Sequence, residues 1–99
     1  MERIEPRASF FVDDRTGRLE IEVKLPGVQE RDVTLEMKKD NFCVRALKGG
    51  DFEYSGCFDL PEEIEPDKRV ARFEDGLLGI IAPKVRSWTD RIIYRPLVG

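Results

Sequence analysis

The residue types that usually catalyse reactions or bind metals are scarce in this sequence. It contains no histidine, so Ser-His and Cys-His nucleophiles and the commonest metal ligand are absent. Cys43 and Cys57 are too few for a disulfide framework and lack the spacing of a metal site. We interpret the acidic residues on exposed strand faces as solvating charge. The sequence therefore predicts a non-enzyme without cofactor or metal, which acts through a binding surface.

The balance of charge narrows the partners of that surface. Seventeen basic and twenty acidic residues give a net charge of −3, and the signs are interleaved, so no basic block is present to hold phosphates. The longest uncharged apolar run, 76–83, is far shorter than the ~20 residues that cross a bilayer. The charged first seven residues do not form a signal peptide. We expect one cytosolic domain that binds neither nucleic acid nor membrane.

Seven runs of β-forming residues, separated by turn residues, predict an all-β fold. They cover 9–13, 19–25, 33–37, 42–47, 52–60, 70–74 and 77–83. Short strands at this spacing are typical of an antiparallel, immunoglobulin-like β-sandwich, here of seven to eight strands. Less than roughly a tenth of the residues should be helical. The expected core consists of Val23, Leu35, Phe58, Leu60, Phe73, Leu78 and Ile80.

The last two runs are joined by Asp75-Gly76, a strong signal for a type I′ hairpin turn. Counting outward from the turn pairs Phe73 with Leu78, Ala71 with Ile80, Val70 with Ile81 and Arg72 with Gly79. Gly79 thus removes a side chain from the second face of the hairpin. It either relieves crowding or marks a bulge, or it leaves a shallow trough beside Val70 and Ile81 for a bound segment.

A glycine turn also sets the register of the hairpin between 42–47 and 52–60. A two-residue loop would place apolar residues opposite polar ones, whereas the odd-length loop 49–51 keeps one apolar face on both strands. The resulting pairs are Phe42 with Phe58, Val44 with Gly56, Ala46 with Tyr54 and Cys43 with Cys57. We expect the two cysteine Cα atoms to lie within ~7 Å. We also expect reduced thiols, because a cytosolic setting disfavours a disulfide.

Several segments together carry a family resemblance. Ala71-x-x-x-x-Gly76-x-Leu78 resembles the signature of the α-crystallin domain of small heat shock proteins, the Hsp20 family. LPGVQERDVTLEM (25–37), CFDLPEEIEPDK (57–68) and GLLGIIAPK (76–84) are similar to the family's Leu-Pro-Gly-Val stretch, its Phe-x-Leu-Pro-Glu connection and its closing strand. We accordingly divide the chain into an N-terminal arm (1–7), an α-crystallin-like domain (8–84) and a C-terminal tail (85–99).

The resemblance implies an ATP-independent chaperone, a holdase that binds exposed apolar segments of unfolding client proteins and prevents their aggregation. Family members often dock a C-terminal Ile-x-Ile motif into a groove between their fourth and eighth strands. Transferred to this chain, the peptide or client groove comprises Leu35, Met37, Val70, Gly79 and Ile81. Family members also dimerise through strand edges, and the corresponding edge here is the 52–60 strand, with Phe52, Tyr54 and Phe58.

Three departures from the family pattern affect the expected assembly. The arm 1–7 is short, residues 48–51 replace a long loop that many members exchange between partners, and Ile92-x-Tyr94 stands in place of Ile-x-Ile. Ile92 and Tyr94 would dock on a partner, or the apolar tail packs on its own sandwich. We expect a homodimer or small oligomer formed through the 52–60 edge. The alternative is a monomer whose edge is protected by Glu53 and Asp59.

Two other functions stay open from the sequence. A sandwich of this shape also occurs in the CS domain of co-chaperones similar to p23 and Sgt1, which bind a folded chaperone through one sheet face. A non-chaperone structural or regulatory protein could have inherited the same domain. An aggregation assay without ATP separates the holdase from both.

Overall fold

Eight β-strands and two short 3₁₀ helices make up the computed structural model, which describes residues 2–85. The strands are β1 (Glu2–Ile4), β2 (Arg7–Asp13), β3 (Arg18–Lys24), β4 (Val33–Met37), β5 (Asn41–Lys48), β6 (Phe52–Asp59), β7 (Val70–Glu74) and β8 (Leu77–Pro83). The 3₁₀ helices cover Glu30–Asp32 and Pro66–Lys68. No helix among these residues is long and apolar enough to span a membrane.

The strands form two four-stranded sheets. Sheet A has the order β1-β6-β5-β4, and sheet B has the order β2-β3-β8-β7. All neighbours are antiparallel except β1 and β6, which run parallel. The predicted β-sandwich is confirmed. β1 is the strand that the sequence did not predict, because its three side chains are all exposed and show no alternation.

Alternation of apolar and charged residues directs each strand toward the core. In β3, Leu19, Ile21 and Val23 are buried while the charged residues between them face outward. These three residues pair with Ala82, Ile80 and Leu78 of β8, which are also buried. Burial of such side chains contributes about 1.5–3 kcal/mol each. The central β3–β8 pair therefore provides the buried apolar face of sheet B.

The expected core was correct but incomplete. Val23, Leu78 and Ile80 are buried, and Leu35, Phe58, Leu60 and Phe73 are partly buried and pack against the buried cluster. The cluster also contains residues that were not expected: Leu19, Ile21, Leu25, Val28, Phe42, Val44, Ala46, Tyr54, Ile64 and Ala82. Phe42 is the largest of the fully buried side chains, and its ring centroid lies 5.1 Å from that of Phe58 and 6.2 Å from that of Phe10.

The Asp75-Gly76 turn has the predicted geometry. Asp75 has φ 49° and Gly76 has φ 77°, the two positive values that a type I′ turn requires. Every predicted pair of the β7–β8 hairpin is present, including Val70 with Ile81 and Arg72 with Gly79. The turn packs on the end of β3, where the Leu25 amide donates a hydrogen bond of 2.6 Å to the Gly76 carbonyl.

The cysteine pair confirms one expectation and corrects another. Cys43 lies directly opposite Cys57, with 4.0 Å between their Cα atoms, as the odd-length loop predicted. The two residues form a disulfide bond, however, so the expectation of reduced thiols was wrong. The physical reason is the register itself, because a directly opposed, narrow pair brings the two side chains within reach of each other.

Candidate functional site

Sheet topology determines which strand edges meet at the sides of the sandwich. β1 and β2 are joined by residues 5–6 and form one edge of sheet A and one edge of sheet B. These two edges must therefore lie on the same side. The opposite edges, β4 and β7, lie together on the other side. Among residues 2–85, no strand pairs with the outer edge of β4 or of β7.

The side formed by β4 and β7 leaves apolar side chains accessible between the sheets. Val33, Leu35 and Met37 of β4 are only partly buried, although they pack against the core. From β7, Phe73 is partly buried and Ala71 is exposed, although both face inward by register. We call these five residues the β4–β7 margin. It combines open apolar surface with two rows of backbone N–H and C=O groups that no strand within residues 2–85 pairs, which is the chemistry that accepts an extended peptide.

The groove residues expected from the sequence are divided between two surfaces. Leu35 and Met37 belong to the β4–β7 margin. Val70, Gly79 and Ile81 lie instead on the outer face of sheet B, because Leu78, Ile80 and Ala82 take the buried positions of β8. Val70 is 57% exposed and Ile81 is 38% exposed. The prediction that these residues line a single groove was therefore wrong, since side chains of opposite parity point to opposite faces of a sheet.

A shallow depression does lie at Gly79. Its volume is about 400 Å³, and it is lined by Arg72, Glu74, Asp75, Leu77 and Gly79. A Cβ on Gly79 would approach nothing closer than the Arg72 carbonyl oxygen, at 4.0 Å. Gly79 therefore does not relieve crowding, and the trough interpretation describes the surface better, although charged side chains form much of its wall.

The expected dimer edge presents backbone rather than apolar side chains. Phe52 and Phe58 are partly buried, and Tyr54 is buried with its hydroxyl 3.4 Å from the Pro26 carbonyl oxygen. These rings face the core or its rim, and Lys48 Nζ lies 5.3 Å from the Phe52 ring centroid. β1 pairs with residues 52–54 of the same chain, so the first part of this edge is already occupied.

Glu53 is the buried charge of sheet A. Its residue exposure is 3%, although it lies on the outer face. Its carboxylate accepts contacts from Arg3 Nε at 2.8 Å and from Arg45 Nε at 3.0 Å. The hydrogen bond from Arg45 holds the pKa of the Glu53 carboxyl below its ordinary value, and desolvation opposes this effect. Arg45 of β5 and Arg3 of β1 are therefore the two basic partners of Glu53.

A second ion cluster closes the end of the sandwich where β8 ends. Lys84 Nζ lies 3.0 Å from Asp14 Oδ1 and 3.3 Å from Glu62 Oε1. Hydrogen bonds to Asp14 and then to Glu62 raise the pKa of Lys84. The cluster links the β2–β3 turn to the connection between β6 and β7, and we assign it a structural role.

Three residues of the margin were missed: Val33 of β4, and Ala71 and Phe73 of β7. The two β7 residues were missed because the transfer from the family followed strand numbers rather than side-chain parity. Ala71 and Phe73 line the margin, whereas their neighbours Val70 and Ile81 were chosen. The hairpin register already placed Ala71 and Phe73 on the inward face, so this signal was present in the sequence. The expected tail-docking residues, Ile92 and Tyr94, lie outside the residues that the structure describes.

Sequence comparison with known proteins gives two relatives, both described as heat shock proteins. No protein-family model matches the chain. It is 28% identical over 105 residues to a probable 15 kDa heat shock protein from Leptospira interrogans, an alignment that covers 93% of this chain and 79% of that protein. It is 30% identical over 105 residues to small heat shock protein C2 from Rickettsia felis, covering 89% of this chain and 66% of that protein.

Solved structures show the same fold at lower sequence identity. A small heat-shock protein from Xylella fastidiosa superposes with a TM-score of 0.67 at 22% identity, covering 95% of both chains. A mutant of hsp14.1 from Sulfolobus solfataricus gives a TM-score of 0.72 at 17% identity, covering 87% of this chain and 80% of the other. With the sandwich, its hairpin register and these relatives in agreement, the chain belongs to the small heat shock protein family, and its β-sandwich is an α-crystallin domain.

Proposed function

We propose that the chain is an ATP-independent chaperone that binds apolar segments of unfolding proteins at the β4–β7 margin and keeps them from aggregating. The observation that carries the proposal is the exposure of inward-facing apolar residues between two strand edges that no other strand of the described part of the chain pairs. An unfolding protein exposes extended apolar segments, which match both features. The segment would add backbone hydrogen bonds along an edge and place alternate side chains between the sheets.

The margin is the better client site than the trough at Gly79. Apolar surface at the margin is continuous with the buried cluster, through Leu35, Met37 and Phe73. The trough is bordered by Arg72, Glu74 and Asp75, whose charged groups an apolar segment would have to desolvate. We therefore assign client binding mainly to the margin. The outer-face residues Val70, Gly79 and Ile81 make a smaller contribution to client binding.

The experiment compares two single substitutions on one strand. Ala71→Asp places a carboxylate inside the margin, and Val70→Asp places the same charge on the outer face of β7. Both native side chains are exposed, so neither variant should disturb the core. Aggregation of a heat-labile enzyme is followed by light scattering without ATP, at near-stoichiometric amounts of the chain.

We expect the native chain and Val70→Asp to suppress aggregation, and Ala71→Asp to need at least about tenfold more protein for the same effect. An unpaired charge buried against an apolar segment costs more than the ~1.4 kcal/mol that corresponds to tenfold in affinity. Loss of suppression in Val70→Asp alone would move the site to the trough. A native chain without suppression would end the proposal. Tight binding to one folded chaperone would then favour the adaptor function, and the absence of both would favour a non-chaperone derivative.

Self-association completes the proposal. The chain would form a homodimer or small oligomer through the backbone edge of β6, with Phe52, Tyr54 and Phe58 supporting that strand from the core side. Two copies would pair antiparallel about a two-fold axis. Sedimentation at micromolar concentration is the direct measurement, and a stable particle of a dozen or more chains would contradict this mode of assembly. Docking of the tail through Ile92 and Tyr94 stays part of the same proposal.

A further inference from the structure

The hydrogen-bonding direction of β6 can be read from two bonds near the end of β5. The Asp40 carbonyl accepts from the Leu60 amide at 2.9 Å, toward β6, and the Asn41 carbonyl accepts from the Lys38 amide at 2.8 Å, toward β4. Because direction alternates along a strand, even-numbered residues of β5 bond to β6. The odd-numbered residues of β6 therefore direct their N–H and C=O groups to the free edge: Glu53, Ser55, Cys57 and Asp59.

The N-terminal residues cover the first part of this edge. β1 pairs in register with residues 52–54, with Arg3 opposite Glu53. The chain then stays beside β6, since a Cβ on Gly56 would lie 3.2 Å from Glu5 Cγ. Among residues 2–85, no strand pairs with Cys57 or Asp59 at this edge. This open stretch is shorter than a usual strand of about five to six residues, so it is too short for a two-fold antiparallel pair. The β6 edge is therefore closed to a second copy while β1 is in place.

The contact between β1 and β6 can be broken at a small cost in free energy. All three side chains of β1 are exposed, including Ile4 at 39%, so its release uncovers little apolar surface. Arg3 supplies one of two charged contacts to Glu53, and its side chain is 74% exposed. Arg45 remains with Glu53 after release, so the buried carboxylate keeps a partner. Segments with few buried contacts open at the lowest free energy in a protein.

We propose that β1 is a detachable cover that competes with a second copy of the chain for the β6 edge, with the Arg3–Glu53 contact holding it closed. This inference rests on the self-association proposed above and does not depend on client binding. Both copies must release β1 before they pair, so the apparent dimer dissociation constant varies with the inverse square of the open fraction. A tenfold larger open fraction tightens the dimer about a hundredfold while the closed form still predominates.

The test weakens the cover and follows the dimer dissociation constant by sedimentation equilibrium. Arg3→Glu replaces the contact with repulsion from Glu53, and Arg15→Glu in the β2–β3 turn is the control with the same change of charge. We expect at least about tenfold tighter dimerisation for Arg3→Glu, given the square dependence, and no change for Arg15→Glu. Ile4→Pro, which removes a strand N–H, should act in the same direction as Arg3→Glu.

A second substitution shows which edge the new dimer uses. Ser55→Pro removes an N–H that faces the free edge, a position where an edge strand tolerates proline. Added to Arg3→Glu, it should abolish the tightening, giving a dissociation constant no smaller than that of the native chain. Two results would overturn the proposal: unchanged dimerisation in both Arg3→Glu and Ile4→Pro, or a tightened dimer that Ser55→Pro leaves intact. Suppression of client aggregation, measured on the same samples, separates failure of the cover from failure of the chaperone function.

Discussion

Replacing Gly76 with alanine tests the turn on which the β7–β8 hairpin depends. Gly76 has φ 77°, and an L-residue in this left-handed region costs about 1–2 kcal/mol. The new Cβ would also lie 3.0 Å from Pro26 Cα and 3.1 Å from the Leu25 carbonyl oxygen. Both neighbours are backbone atoms and cannot rotate away, so the turn must shift and weaken the Leu25–Gly76 hydrogen bond. That loss adds about 1 kcal/mol.

The matched control is Gly79→Ala on the same hairpin. Gly79 lacks a positive φ, and its added Cβ would approach only the Arg72 carbonyl oxygen, at 4.0 Å. Either substitution reduces the entropy of the unfolded chain, which stabilises the fold by about 0.4–1 kcal/mol. The net expectation is a loss of about 1–3 kcal/mol for Gly76→Ala and a gain below about 1 kcal/mol for Gly79→Ala.

Urea unfolding monitored by far-UV circular dichroism, a signal of the backbone, gives the free energies of unfolding of the Gly76→Ala and Gly79→Ala variants. Equal stability of the two variants would refute the reasoning, because it would mean that neither the positive φ nor the backbone approach constrains residue 76. A large loss in Gly79→Ala would contradict the open space beside residue 79.

Three further predictions concern the rest of the sandwich. Reduction of the Cys43–Cys57 disulfide, which spans 14 residues, should lower the free energy of unfolding by about 3 kcal/mol through loop entropy; a Cys43→Ser/Cys57→Ser double variant should not respond to reductant. Phe42→Ala removes a fully buried ring from between Phe10 and Phe58 and should cost about 3–5 kcal/mol in urea unfolding, and a loss below about 1 kcal/mol would contradict this packing. The lowered pKa of Glu53 stabilises the fold above the ordinary carboxyl pKa, and this contribution is lost as pH falls through the lowered folded value. Glu53→Gln should therefore lose less stability than the native chain on acidification.

The sandwich was predictable because its strands obey simple periodicity. Leu19, Ile21 and Val23 alternate with charged residues, and the two glycine turns set both hairpin registers through parity alone. β1 was not predictable in this way, since its pairing depends on backbone groups and on Arg3 reaching Glu53. A three-residue strand with exposed side chains has no pattern that distinguishes it from a loop.

The candidate site was predictable in part. Leu35 and Met37 lie at the β4–β7 margin, whereas Val70 and Ile81 face outward. The strand number used for the prediction does not specify which face a side chain takes. The reduced state of the cysteines was inferred from a cytosolic location, which stays a prediction, whereas the disulfide follows from local geometry. A local register can be counted from the sequence, but a cellular compartment cannot.

The order of strands in sheet B has a consequence for how the chain folds. β4, β5 and β6 follow one another along the chain and pair as neighbours, so sheet A assembles from local contacts. Sheet B is complete only when β3 pairs with β8. Leu19 then lies opposite Ala82, and most of the domain's sequence separates these two residues. Pairing at such sequence separation carries a loop-closure cost before any contact is gained, and it slows folding to the millisecond-to-second range. A nascent chain therefore holds β3 paired with β2 on one edge only, and the buried apolar residues of β3 lack their second partner until synthesis has passed β8.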